Sequence, residues 1–412
     1  MISVAGYDVC QSGHVTGSAA LHAARHVASG TAVYLKILSD EVPSPSRIAR
    51  MRHEFAMLRR IDHPHVVKAT ELLRVGSRLV LVLEDFGGRA VSEHLAGGSL
   101  PITDALRIGL AVANALDHVH RSRVLHKDVH PGNIVWNRES GAIKLIDFGI
   151  ASALRREQPE LRAANTVEGT LGFMSPEQTG RMNRVVDART DLYSLGATLY
   201  ALLAGRGPFD SSDPLEVIHG HIARRPASLL AVRPELPGTV ERIVQRLLAK
   251  NAEDRYRSAW GLARDLERCL AAQEDGASVG ELVLGADDVG DRFELPQKLY
   301  GRGAERDELL AAFDRVANGA RELFLVSGTS GIGKSALVHE VHRPILERRG
   351  TFIEGKFDQF RRDLPYASLI QAFREIVGQL LQANQLLEAG RRVTHLVFMG
   401  MGEPLANYGA VV

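Results

Sequence analysis

Cysteine is nearly missing from this 412-residue chain, which has only Cys10 and Cys269. Two thiols cannot build a disulfide framework or a four-thiolate metal site, so a reducing, cytoplasmic compartment is the simplest expectation. An excess of one charge is missing as well. Fifty basic residues against 49 acidic ones leave a formal net charge of +1. Nothing electrostatic points to nucleic acid or to an anionic membrane surface. No uninterrupted apolar run is long enough to span a bilayer, and no charged-then-apolar leader opens the sequence. Neither a membrane span nor an export address is therefore expected. Short internal repeats are also lacking. The length itself allows two or three domains, each able to bury a core.

Periodicity changes along the chain. "TAVYLKIL" (31–38) and "RLVLVLEDF" (78–86) are apolar, β-branched runs, while "SRIARMRHEFAMLRRI" (46–61) has helical spacing. From about 101 to 273 helical patterns dominate, interrupted by short apolar pairs such as "NIVW" and "IKLIDFG". A small β-rich lobe followed by a larger helical lobe is an α+β arrangement with a cleft between the lobes. Residues 274–297 are acidic and glycine-bearing and read as a linker. After it, "LYGRGAERDELLAAFDRV" suggests a helix, "ELFLVSG" a buried strand and "GKSALVHEVHRPILERRG" another helix. That order begins an α/β domain.

Four elements carry the chemistry of the two lobes. "AVYLKIL" puts Lys36 on a strand, and Glu54 follows on the amphipathic helix. "VLHKDVHPGNIVW" supplies Asp128 and Asn133, "IKLIDFG" supplies Asp147, and "MSPE" closes the set at Glu177. In this order and at these separations they resemble the bilobal protein-kinase fold over roughly residues 7–270. The resemblance implies ATP and Mg²⁺ as cofactors and protein substrates as partners. It gives Lys36 the α- and β-phosphates, with Glu54 orienting it, and Asp147 and Asn133 the metal. Asp128 would orient the acceptor hydroxyl and take its proton. The backbones of Glu84 and Phe86 fall at the adenine-binding hinge. "EGTLGFMSPEQ", with Thr170, is similar to serine/threonine rather than tyrosine kinases. Asp191 and Arg255 match framework positions of the large lobe.

Three positions depart from that pattern. The phosphate-covering loop, normally G-x-G-x-x-G, offers only Gly13 and Gly17. Lys127 stands where an arginine is usual before the catalytic aspartate. Its point charge grips a phosphate less well than a planar fork, so Thr166 or Thr170 phosphorylation is not expected to act through it. His130 replaces a lysine that would neutralise the γ-phosphate. The "HKDVHPGN" wording resembles the N-terminal kinase of very large bacterial hybrid proteins, which continue into an ATPase, sensor and histidine-kinase modules. Those modules are the downstream signalling partners it implies.

A second phosphate motif, G-x-x-x-x-G-K-S, spans 328–335. Gly328, Gly331 and Gly333 would form a backbone nest, Lys334 would reach the β/γ-phosphates, and Ser335 would ligate Mg²⁺. Little chain remains after Ser335, and no apolar run in it ends in an aspartate. The expectation is a truncated, partial P-loop NTPase. The final "VFMGMGEPLANY" resembles radical-SAM methyltransferases that modify RNA. Their iron–sulfur cluster needs three closely spaced cysteines, which this chain lacks. A fusion or assembly scar with its junction near 382–391 is the expectation instead. The domains are thus a kinase at 1–273 (small lobe about 1–86, large lobe 87–273), a linker at 274–297, a partial ATPase at 298–388 and a tail at 389–412. Two readings stay open: an active serine/threonine kinase with a nucleotide-binding regulator, and an inactive nucleotide-binding scaffold.

Overall fold

Strand alternation sorts the first sheet into two faces. On β4 (Ala32–Leu38), Val33, Leu35 and Ile37 are buried in a small cluster with Val80 and Val82. The intervening residues, Lys36 among them, face the opposite side, as a period of two requires. This is a computed structural model. It describes residues 4–10, 14–16, 19–40, 42–153, 169–179, 186–275 and 283–288, then 301–320 and short stretches between 322 and 345. The chain divides into two units, Met1–Glu294 and Leu295–Val412.

In the first unit, β1 (Tyr7–Val9), β2 (His14–Thr16), β3 (Ala19–His26), β4, β5 (Ala69–Val75) and β6 (Arg78–Glu84) form an antiparallel sheet. Its order is β1-β3-β4-β6-β5, with β2 also on β3. The helix α1 (Pro45–Leu58) starts where Ser44 accepts the Arg47 N–H and Pro45 supplies a preset φ. It buries Met51, Glu54, Met57 and Leu58, one face of the helix. Beyond β7 (Arg89–Ala90) and α2 (Val91–His94), the long helix α3 (Ile102–Arg121) enters the main core.

Short strands β8 (Val124–Leu125), β9 (Ile134–Trp136), β10 (Ile143–Leu145) and β11 (Ser152–Ala153) follow. They make two small antiparallel sheets, β10-β9-β7 and β11-β8. The larger part is completed by α4 (Ala188–Ala204), α5 (Pro214–Ile222), α6 (Leu229–Val232), α7 (Gly238–Leu247) and α8 (Ala259–Glu274). Nearly all of α4 is buried, its polar residues Thr190, Asp191, Ser194 and Thr198 included, so the helix is enclosed by the core. Among the described residues no helix is long and apolar enough to cross a membrane.

Residues 283–288, expected as linker, lie in a turn fastened to α8 through Asp288 and Gly285. In the second unit, α9 (Gly303–Ala317) and α10 (Lys334–His339) contribute Leu309 and Leu337 to a small core. The "ELFLVSG" segment carries no strand in its described residues, and Leu325 is 82% exposed. Among the described residues of this unit there is no other strand for it to pair with, and an apolar run takes up a ladder only when a neighbour supplies the hydrogen bonds.

Candidate active site

Lys36 extends from the middle of β4, where its backbone pairs with Leu21 on one side and Leu81 on the other. The strand is thus held from both edges. The ammonium reaches across to α1, donating to Glu54 Oε1 and Oε2 at 2.8 and 2.9 Å. It also lies 3.1 Å from Asp147 Oδ1. Burial by itself would lower this lysine's pKa. The two carboxylates outweigh it and hold the group above the usual lysine range, charged. Asp147 sits just after β10 in the left-handed region at φ 60, an uncommon conformation for a side-chain-bearing residue. Burial pushes its carboxyl up, but Lys36 and the Gly149 N–H pull it below the ordinary value.

Asp128 and Asn133 lie in the loop between β8 and β9. Asp128 Oδ1 accepts the Thr170 N–H at 2.9 Å, and Oδ2 accepts from Asn133 Nδ2 at 3.1 Å. Burial again opposes ionisation. His130, His126 and the Thr170 amide more than offset it, taking the carboxyl to about 2. Asn133 also donates to the Asp128 carbonyl at 2.9 Å, so its NH₂ group is committed and its oxygen remains as the acceptor.

His130 has a defined tautomer. The Gly132 N–H donates to Nδ1 at 3.1 Å, so the ring proton belongs on Nε2, which faces Asp128 Oδ2 at 3.6 Å. That separation is longer than a hydrogen bond. The imidazole also stacks on Phe173 with centroids 5.8 Å apart. Its near neighbours are thus Asp128 and an aromatic ring.

The loop is held by residues from outside it. Asp191, in the first turn of α4, is fully buried and accepts the backbone N–H groups of His126 and Lys127 at 2.9 and 2.7 Å. His120 Nε2 adds a contact at 2.8 Å. These bonds hold Lys127 at φ 69 and almost wholly buried. Arg255 is buried against Glu177, with nitrogen–oxygen distances of 2.7 and 3.0 Å. Its remaining donors meet the carbonyls of Ala249, Arg189 and Lys250. The pair is fully satisfied, as a buried charge must be.

At the expected hinge, the side chain of Glu84 accepts from Lys144 Nζ at 2.6 Å and the Lys68 N–H at 2.7 Å. The Phe86 carbonyl takes the Asn137 amide at 2.9 Å. Among the described residues no acceptor takes the Phe86 N–H. Gly13 and Gly17 lie outside the described residues, as does Thr166.

In the second unit, Lys334 at the start of α10 folds back over the loop. It donates to the carbonyls of Gly328 and Thr329 at 2.6 and 2.9 Å. Gly328 has φ +156, and an added Cβ would come within 3.0 Å of Ile332. Gly331 and Gly333 lie outside the described residues, and so does the Ser335 side chain.

The structure thus brings Lys36, Glu54 and Asp147 together, and separately Asp128 and Asn133. Sequence reasoning missed His126, whose ring meets Phe148 edge-on at 4.6 Å, and Gln178, which donates to the Lys127 carbonyl at 2.7 Å. It also missed Lys144 as the partner of Glu84. Gln178 and Lys144 carry no local signal, because each works through a partner distant in the chain, whereas His126 opens the "HKDVHPGN" stretch and accepts the Asp128 N–H at 3.2 Å. Among the described residues no three His, Cys, Asp or Glu converge as a metal cage. Magnesium needs only one or two carboxylates beside substrate phosphates, and an ionised Asp147 with the free oxygen of Asn133 fits that requirement.

The chain is similar in sequence to several known proteins. A hybrid signal transduction histidine kinase of Dictyostelium discoideum is 35% identical over 57% of this chain and 7% of its own length. A probable serine/threonine-protein kinase of Streptomyces coelicolor is 31% identical over 66% of this chain and 41% of its own. The serine/threonine-protein kinase PrkC of Bacillus subtilis is 30% identical over 62% and 39%. The chain spans less than half the length of these curated relatives. Residues 298–398 match the AAA ATPase domain family. Residues 16–265, well over half of the chain, match the protein kinase domain, and the chain accordingly belongs to the protein kinase family.

Proposed function

We infer that the first unit is a protein serine/threonine kinase, transferring the γ-phosphoryl group of ATP to protein hydroxyls, and that the second is a nucleotide-binding regulatory domain. The observation that carries the reading is the Lys36 ammonium, held charged between Glu54 and Asp147. Phosphoryl transfer needs positioning and charge neutralisation more than covalent chemistry, and a pre-aimed cation beside an ionised carboxylate supplies both. Lys36 binds the α- and β-phosphates, and Glu54 keeps it from swinging away. Asp147 and Asn133 would hold Mg²⁺, which when bound neutralises phosphate charge. Asp128, ionised and steered by Asn133 and the Thr170 amide, orients the acceptor hydroxyl and receives its proton. The Phe86 N–H is open to an adenine acceptor.

The serine/threonine preference rests on the Thr170 to Glu177 segment and on the names of the bacterial relatives. Gly328 and Lys334 support nucleotide binding in the second unit, with Gly331, Gly333 and Ser335 completing the motif. Sensor and histidine-kinase modules are the proposed downstream partners, and the cytoplasm is the proposed location. The methyltransferase-like tail lies outside the described residues, and with two cysteines no cluster-dependent activity is proposed for it.

The deciding assay measures transfer from γ-labelled Mg-ATP to a basic protein acceptor by the full chain. Asp128→Asn keeps the shape of the base but cannot accept a proton, and should lose about 10²- to 10⁴-fold in kcat. Wild-type transfer no greater than that of Asp128→Asn, with ATP still bound, would establish the inactive-scaffold reading instead.

A further inference from the structure

Residues 283–288 have the composition of a flexible linker, yet their contacts are those of a domain component. The Asp288 side chain is only 3% exposed. Its carboxylate accepts the Arg257 N–H at 2.8 and 3.1 Å, the Ser258 N–H at 3.0 Å and the Ser258 hydroxyl at 3.1 Å. Arg246 of α7 approaches the same carboxylate at 3.4 Å. Ser258 already caps α8 by accepting the Gly261 N–H at 3.1 Å. Asp288 therefore supplies a second acceptor and a negative charge at the positive end of a 16-residue helix.

The contact is built from both sides. Arg246 donates to the Leu284 carbonyl at 3.0 Å while its guanidinium covers the Tyr256 ring at 4.2 Å. The Gly285 N–H donates to Asp265 Oδ2 at 2.8 Å, the oxygen that also accepts the Tyr256 hydroxyl at 2.7 Å. Arg268 pairs with Asp287. Space is closely matched as well. A Cβ on Gly285, at φ +76, would run into the Arg246 guanidinium, and one on Gly261 would come within 2.6 Å of Asp288. Gly261 is therefore required by the docking itself, and Gly285 by its positive φ.

We propose that residues 283–288 form an intramolecular clasp belonging to the kinase domain, through which the chain leading to the ATPase domain is anchored on the turn before α8. The kinase unit thus extends at least to Asp288, beyond the end of α8. The anchored turn is the one that presents Arg255 to Glu177. The clasp thus adjoins the turn of the buried Arg255–Glu177 ion pair, whose segment reaches Lys127 through Gln178.

Hydrogen exchange on the full chain tests this, and its readout does not depend on phosphotransfer. In the wild type, the amides of Arg257 and Ser258 should be protected. In Asp288→Asn and in Arg246→Gln their exchange should quicken by at least about tenfold, while amides of β4 and α3 stay protected. If Asp288→Asn also loses β4 protection, it has unfolded and the milder Arg246→Gln decides. Unprotected amides at 257 and 258 in the wild type, or unchanged protection in Arg246→Gln, would overturn the clasp.

Discussion

At Asp128, both carboxylate oxygens are engaged before any substrate arrives. Burial opposes its charge, but His130, His126 and the Thr170 amide bring the group to about 2, below the ordinary 3.8. A depressed folded value means that the carboxylate contributes stability fully above about pH 4, and loses it as pH falls toward 2. Wild type and Asp128→Asn should therefore differ most in unfolding free energy above pH 4, with the gap closing between pH 4 and 2. Chemical denaturation across that range measures it. A gap independent of pH would show that the charge of Asp128 does not contribute. His130 stands where a phosphate-facing lysine was expected, and its Nε2–H is aimed at Asp128. His130→Ala should lower kcat about tenfold and leave the KM for ATP within about twofold. A large rise in that KM would put the ring on the nucleotide instead.

Elements are tied together by buried polar pairs. Arg255, after α7, satisfies Glu177 and three carbonyls at once. Removing one partner of such a pair leaves the other charge without compensation, so Arg255→Ala should cost about 3–5 kcal/mol. The double variant Arg255→Met/Glu177→Gln should cost less than the single one. Denaturant midpoints decide, and a cheaper single variant would refute the account. On α5, His221 is buried beside the Tyr193 hydroxyl at 3.0 Å. Burial first, and Lys250 second, lower its pKa from 6.5 to about 3. The unfolded chain then binds the extra proton between those values, so stability falls as pH drops below 6.5. From pH 7 to 5 the wild type should lose about 2 kcal/mol more than His221→Gln. Equal losses would contradict a neutral, buried imidazole.

Across the whole molecule, two phosphate motifs in two units imply two nucleotide sites. Equilibrium binding of a fluorescent ATP analogue should give two equivalents per chain. Asp147→Asn should weaken one site and Lys334→Ala the other. A single equivalent in the wild type would remove the second unit from the nucleotide-binding reading.

Much of this was legible in the residue order, for a physical reason. Lys36, Asp128, Asn133 and Asp147 sit on short segments whose patterns declare themselves locally: period two in β4, helical spacing in α1, an apolar pair before each loop. The identity of these side chains and their order were therefore legible in the sequence alone. So was the exclusion of cluster chemistry, which is a matter of cysteine count. What only the tertiary structure decided are the partners of long range. They include the proton position on His130, the Lys144 contact to Glu84, the Asp191 grip on the catalytic-loop backbone and the docking of Asp288. Each depends on where a distant donor comes to rest, and in the clasp an acidic, glycine-bearing stretch reads the same whether it is solvated or buried. Composition sets what a segment is able to do, and only the donors that surround it select which state has the lower free energy.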